Sequence, residues 1–332
     1  HEQPEHNWVV YFYTVRDAEG SSVLQTCYTS AMVKEDMVSP GYVSQKVELE
    51  RVDKPYYLTS KNILSGSLIT KGRHVYLDRQ HAQWKEALQL LITQMNETLN
   101  ESGATKIMLR DFVDEQDKEL EEVMLELGLT SYRLLNNCVV PDLSWDTQAD
   151  FLSRLGQKYR YNVKKEILAY EHMFTVDSTK PDSKEEIEAC YALYQQVYSQ
   201  AFDLNVFLLP YAYFEAMCRH EHYDIVKLYL KPEFNENAEE PVLAGVMFSY
   251  RNQSVYNALL VGLDYSYVRS HNTYKQIMYQ TLLRARTLGC QTLDLAYTAE
   301  LEKKKLGAQL QEVYAYVQAT EHYSFSVLES ME

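Results

Sequence analysis

The sequence lacks any long apolar run. Its longest candidate, Ala87 to Ile92, falls far short of the roughly 18 to 20 residues that a membrane-spanning helix needs, so no transmembrane segment is expected. Cysteine is scarce and unpaired in pattern. Cys27, Cys138, Cys190, Cys218 and Cys290 sit in apolar or helical surroundings and form no CxxC pair, which fits reduced thiols in a cytosol better than a secreted disulfide framework. The sequons at Asn96, Asn100 and Asn252 are then chance occurrences. Positive charge is the minority: 32 Lys and Arg against 47 Asp and Glu leave a net charge of -15. A protein that lives on nucleic acid needs a basic face to neutralise phosphates, so DNA is excluded as a partner and tRNA is disfavoured. Cys218, His220 and His222 alternate in CRHEH but lack a fourth ligand at zinc spacing, so no metal is expected. His172 and His322 stand alone, and there is no GxSxG nucleophile elbow.

With 332 residues, 46% apolar and 24% charged, the chain can bury a substantial core, and its length fits two domains of about 150 residues each. The first residue is His1 rather than Met, which reads as a start trimmed or cut from a longer polypeptide. The order of elements repeats. Arg73 to Asp78, a helix to Ser102, Gly103, ATKIML, a charged helix and Gly128 are followed by Val255 to Leu263, a helix to Leu288, Gly289, QTLDLA, a charged helix and Gly307. Such self-similarity points to two copies of one α/β unit.

The first half opens on two aromatic, β-branched runs, Trp8 to Arg16 and Val23 to Met32, joined by AEGSS as a hairpin. Val38 to Ser67 carries Pro40, Gly41, Pro55 and Gly66 with little periodicity and reads as a long loop with short strands. His81 to Leu99 has apolar residues at helical spacing and ends near Gly103. Glu115 to Glu126 reads as an acidic helix. After Pro141, Asp146 is a candidate helix cap, a basic helix starts near Gln157, and HMFTVD from His172 is a strand. Ser183 with Glu186 forms a capping-box pattern opening a helix to about Phe202. A helix over Tyr211 to Arg219 and strands over Ile225 to Leu230 and Val242 to Tyr250 follow, with the acidic linker NENAEE between the strands. The turn Arg251 to Gln253 leads into Ser254 to Leu263. The basic segment Arg154 to Lys165 is open to two readings, a solvated helix face or an anion-binding one.

The stretch from Val242 to Tyr316 resembles the GCN5-related N-acetyltransferase (GNAT) fold in its Fem-like or BioF2-like acyltransferase branch. The resemblance rests on AGVMFSY, LLVGLDYSY, Asn272 and Tyr274 opening a helix, Gly289, and above all YTAELEKKKLGAQLQEVYAYV, with Thr298, Ala299, Lys303, Leu306 and Gly307 in register. FLSRLGQKYRYNVKK resembles the branch's helix through Arg160, and GSLITKGRHVYLDR and IMLRDF give a looser match in the first unit. The fold this implies is α/β (α+β): two tandem GNAT-like units, each a mixed, mainly antiparallel sheet flanked by helices. Their expected extents are 1–141 and 142–332, the second holding the acyl-donor site.

The resemblance implies an N-acyltransferase that moves an acyl group, other than an aminoacyl group, from a thioester to a primary amine by direct attack. Acyl-CoA or acyl carrier protein would be the co-substrate, with no tightly bound cofactor. A GNAT site parts two strands so that backbone N–H groups reach the thioester, and a neighbouring helix N-terminus takes the pyrophosphate. Tyr256 to Leu263 would be that strand, Gly262 would admit the pantetheine arm, and Arg269, His271, Asn272, Tyr274 and Lys275 would form the phosphate turn. The usual glycines of that turn are missing from VRSHNTYK. Asp264 is the candidate base, and Tyr314 and Tyr316 the candidate donors to the leaving thiolate. Lys303 would stabilise an anion, with Arg160, Lys164 and Tyr256 binding substrate. An amino acid or amino lipid is the implied acceptor, since relatives occur beside or fused to pyridoxal-phosphate-dependent synthases. The aromatic run Val197 to Phe214 fits a greasy tunnel, a membrane-surface contact or core packing. The expected location is cytoplasmic, with peripheral contact at the inner membrane surface left open. Two alternatives remain: a Fem-like transferase that takes an aminoacyl group from tRNA to a cell-wall precursor, and a non-catalytic docking module of a larger enzyme.

Overall fold

The computed structural model describes residues 8–113, 117–235, 239–320, 327, 328 and 331. The hairpin forms as expected, from β1 (Val9–Arg16) and β2 (Ser22–Lys34). Its turn is tied by Asp17, whose carboxylate accepts the Ser21 N–H, and by Gly20 in the left-handed region at φ 88°. Then come α1 (Gly41–Arg51), β3 (Thr59–Ser65), β4 (Val75–Leu77), α2 (Trp84–Ser102), β5 (Lys106–Phe112), α3 (Lys118–Glu126) and β6 (Thr130–Arg133). The chain continues through β7 (Asn137–Val140), α4 (Gln148–Arg154) and α5 (Gln157–Val163), a π-helical turn Lys164–Leu168, α6 (Ala169–Glu171), β8 (Phe174–Asp177), α7 (Lys184–Tyr198) and α8 (Tyr211–Arg219). It ends with β9 (Tyr223–Leu230), β10 (Val242–Asn252), β11 (Val255–Leu263), α9 (Tyr265–Val268), α10 (Thr273–Thr287), β12 (Thr292–Asp294), α11 (Glu300–Lys305), β13 (Gln309–Gln311) and β14 (Tyr314–Ala319).

These elements build two mixed sheets, each flanked by helices. One has the order β1-β2-β3-β5-β14-β6, with β4 paired to β2, and the other β13-β7-β12-β11-β10-β9-β8. Pairing is antiparallel except between β3 and β5 and between β11 and β12. In the first unit, Trp84, Leu88, Leu91, Ile92 and Met95 of α2 pack on Ile63, Ile107 and Leu109 of the strands. In the second, Ile277, Leu282 and Ala285 of α10 pack with Tyr256, Ala258, Val226 and Met247.

Compact units divide the chain discontinuously: residues 1–135, 202–207 and 312–332 form one, residues 136–201 and 208–311 the other. The linear expectation of 1–141 and 142–332 misses this because the repeats exchange their last strands. The first run of elements ends in β7, which inserts between β12 and β13 of the second sheet. The second run ends in β14, which inserts between β5 and β6 of the first.

Three local expectations are corrected. Val38 to Ser67 holds the expected short strand, β3, but also a helix, α1, which buries Val43 and Val47 one turn apart. The counterpart of β11 is β3, which lies parallel to β5 as β11 does to β12, whereas the Arg73 to Asp78 stretch is the short β4, paired with the first part of β2 on the same flank as β3 and opposite β1. Thr147 rather than Asp146 caps α4, its hydroxyl accepting from Asp150. His322, residues 236–238 of the acidic linker and Glu115 of the acidic helix lie outside the described residues.

Candidate functional site

In the second unit the parallel pair β11 and β12 parts after three residues. Val255, Tyr256 and Asn257 pair with Thr292, Leu293 and Asp294, and no further register follows. β11 continues to Leu263 paired only with β10, and Leu259 is the extra residue of a bulge where Phe248 opposes Leu260 and Ser249 opposes Ala258. A bulge bends its strand and interrupts the ladder. From Ala258 to Leu263 the β11 edge turned away from β10 has no strand partner among the described residues. Leu259, Leu260 and Val261 are half-buried there.

Polar groups gather where the strands part. Asn257 and Asp294 are register partners, and the Asn137 amide on β7 donates to Asp294 Oδ2 at 2.8 Å. Asp294 Oδ1 accepts the Ala296 N–H at 2.7 Å. Asn137 is buried, and its Oδ1 has no hydrogen-bond partner, so an acceptor is left over at the fork. The loop beyond β12 is strained: Ala296, Thr298 and Ala299 have φ of 56°, 63° and 47°, a region costly for residues with a Cβ. Lys303, only 4% exposed, reaches back from α11 to donate to the carbonyls of Tyr297 and Ala296. Asp294, Asn137 and Asn257 were not singled out from sequence; the run QTLDLA marked the strand, but nothing in it showed that the strand stops pairing at its aspartate.

The sequence-derived candidates fall into different places. Asp264 caps α9, its carboxylate accepting the Ser266 N–H at 2.9 Å. Tyr314 and Tyr316 lie on β14 in the first unit's sheet rather than beside β11. The Tyr314 hydroxyl donates to Glu312, and Tyr316 packs edge-on against Phe112, its pKa pushed up by burial. Gly262 is required by a helix and not by an open channel: a Cβ there would stand 2.7 Å from the Tyr194 nitrogen of α7. Tyr256 is fully buried and donates to Asp224, which also takes a two-pronged contact from Arg284. Arg160 donates to the carbonyls of Leu152, Ser153 and Leu155 at the end of α4. Lys164 is exposed on the π turn.

Around the α10 start, Arg269 is exposed and Asn272 takes a left-handed conformation at φ 53° without a side-chain cap. Both His271 nitrogens are engaged, one by the Phe234 carbonyl and the other by the Ser270 hydroxyl. Tyr274 is raised well above the ordinary phenol range by burial. Lys275 binds Glu166 at 2.8 Å, and that carboxylate also accepts from Lys305 at 2.9 Å. These two lysines, against a smaller cost of burial, lower the Glu166 pKa. Among the described residues no group of His, Cys, Asp and Glu is placed to hold a metal, and no helix is long and apolar enough to cross a membrane.

Residues 157–304 match the family model described as an acetyltransferase (GNAT) domain. Among solved structures, FemX aligns with a TM-score of 0.63 at 13% identity, over 97% of this chain and 90% of that one. L-PGS from Bacillus licheniformis aligns at 0.56 and 10% identity, over 96% of this chain and 89% of that one. The C-terminal domain of a protein named for lysylphosphatidylglycerol synthetase, from Agrobacterium fabrum, aligns at 0.54 and 10% identity, over 96% and 88%. No curated protein matches the sequence.

Proposed function

We propose that this chain, whose fold is that of the Fem-like branch of the GNAT acetyltransferases, is an N-acyltransferase working at the fork between β11 and β12. The observation that carries this reading is the unpaired β11 edge from Ala258 to Leu263 beside a buried carboxylate. An acyl carbonyl laid along that edge would accept backbone N–H groups, which polarise it where negative charge develops. A primary amine attacks the carbonyl carbon: the C–N bond forms, the C–S or C–O bond to the carrier breaks, and the carrier leaves as an anion that takes up a proton. Asp294 replaces Asp264 as the group for the amine proton. Asp294 ends β12 at the fork, its two oxygens held by the Asn137 amide and the Ala296 N–H, whereas Asp264 lies beyond the end of β11 and caps α9. The Asn137 Oδ1 can accept an N–H of the incoming amine or of the donor's arm.

A thioester of coenzyme A or of an acyl carrier protein, with an amino acid or amino lipid as acceptor, is the first reading of the donor and acceptor. The sequence-based preference against an aminoacyl group does not carry over. The likeness to FemX and to a protein that by its name joins lysine to phosphatidylglycerol favours an aminoacyl donor as the second reading.

Purified protein would be assayed with acyl-CoA, acyl carrier protein and aminoacyl-tRNA, each with amino acid and amino lipid acceptors. Turnover with any pair, lost by about 10² or more in D294N at unchanged thermal stability, supports the reading. No turnover with all three donors would favour the docking-module alternative.

A further inference from the structure

Three helical segments meet at one carboxylate oxygen. Lys275, in the first turn of α10, and Lys305, at the end of α11, lie 2.8 and 2.9 Å from Glu166 Oε2. Glu166 comes from the π-helical turn Lys164–Leu168, which the buried Gln276 of α10 pins by donating to the Ile167 carbonyl. π turns inside helices are rare and often mark functional positions. Lys305 is also held by both oxygens of Glu302 at 2.8 and 3.0 Å. Two ammonium groups and two carboxylates therefore cancel to zero charge.

The location gives that neutrality a consequence. Side chains of a helix lean toward its N-terminus, so Lys275 sits over the α10 start, the end at which the helix dipole and free N–H groups favour an anion. Of the other basic side chains of this turn, Arg269 is exposed to solvent and His271 has both nitrogens committed, and the turn carries no glycine between Val268 and Lys275. Glu166 thus already occupies Lys275 and presents a carboxylate close to where a pyrophosphate would lie.

We propose that Glu166 is a specificity-determining residue that keeps a nucleotide pyrophosphate off the start of α10 and so selects acyl donors that bring none there. The inference rests on the acyl-transfer reading of the β11–β12 fork. With Glu166 in place, the donor's recognition depends on the acyl group and its arm; without it, Lys275 and half of Lys305 become free for a polyanion.

The test titrates wild type, E166Q and E166S with inorganic pyrophosphate and with coenzyme A, and measures turnover with an S-acyl-pantetheine against the matching acyl-CoA. The expected result is pyrophosphate binding at least tenfold tighter in E166Q than in wild type, and a wild type that uses the two acyl compounds about equally while E166Q prefers acyl-CoA. E166S serves if E166Q does not fold. Wild-type binding of pyrophosphate or coenzyme A that is equal to or tighter than the variants' overturns the proposal. If none of the proteins turns over either acyl compound, the acyl-transfer reading fails, and the pyrophosphate titrations still decide the role of Glu166.

Discussion

A methyl group on Gly262 would stand 2.7 Å from the backbone nitrogen of Tyr194 and 2.8 Å from the Leu193 Cβ. The helix α7 therefore rests on β11 at the one position without a side chain. G262A must push a helix backbone and not the flexible end of a side chain, so the expected loss is about 1–3 kcal/mol. Urea unfolding at an unchanged slope would measure it, and a loss below about 0.5 kcal/mol would show that α7 yields freely.

The strand exchange makes a second expectation. A chain stopped after Gln311 loses β14, which pairs with β5 on one side and β6 on the other. Orphaned ladder groups on two strands and the loss of the buried Ala315 and Tyr316 should unfold β5 and β6 locally. Hydrogen exchange should show these strands losing protection while β9, β10 and β11, which lack any pairing to β14, keep theirs. Retained protection in β5 would contradict the role given to β14.

Much of this was readable from residue order. Ser183 and Glu186 announced α7, and the Ser183 hydroxyl does accept the Glu186 N–H at 3.2 Å. Gly103 marked the end of α2, where it takes a left-handed conformation at φ 66°. What the pattern could not express was partnership. β7 and β14 are short strands whose neighbours lie more than a hundred residues away, and nothing local says which sheet they enter. Helix α1 escaped because it follows a proline and buries only a narrow stripe, Val43, Ser44, Val47 and Arg51. The site shows the same limit. Asp264 drew attention by following a strand, yet Asp294 gains its position from where the pairing of two strands stops.

A buried pair in the first unit predicts a pH dependence. His74 Nε2 lies 3.0 Å from Asp111 Oδ2, with Arg110 at 3.2 Å from the same oxygen. Burial lowers the His74 pKa despite the bond to Asp111. Burial alone would raise Asp111, but the His74 hydrogen bond and the Arg110 charge outweigh it and hold the carboxyl well below the usual carboxylate range. The unfolded chain therefore takes up a proton on histidine below pH ~6.5 that the folded chain refuses, so stability falls as pH drops through that value. The contribution of Asp111 is complete above the unfolded carboxyl value near ~3.9 and is lost as pH falls further. Urea midpoints should decline from pH 7.5 toward 5.5 in the wild type and stay flatter over that window in H74Q. Equal slopes would mean that His74 titrates in the folded protein as it does in the unfolded one.

The strained loop beside the fork provides the sharpest separation of stability from chemistry. Thr298 holds φ at 63°, and Lys303 fixes the carbonyls of Ala296 and Tyr297 just before it. A glycine adopts that conformation without the steric penalty, so T298G should gain about 0.5–1 kcal/mol from relieved strain, less what glycine's added unfolded-state freedom takes back. K303M should lose about 2–4 kcal/mol, since two carbonyls are left without a charged donor in a buried setting. If the loop's geometry serves the fork, both variants lose acyl transfer by about tenfold or more although their stabilities move in opposite directions. A T298G protein as active as the wild type would show that the strain is a by-product of connecting β12 to α11 and has no part in the reaction.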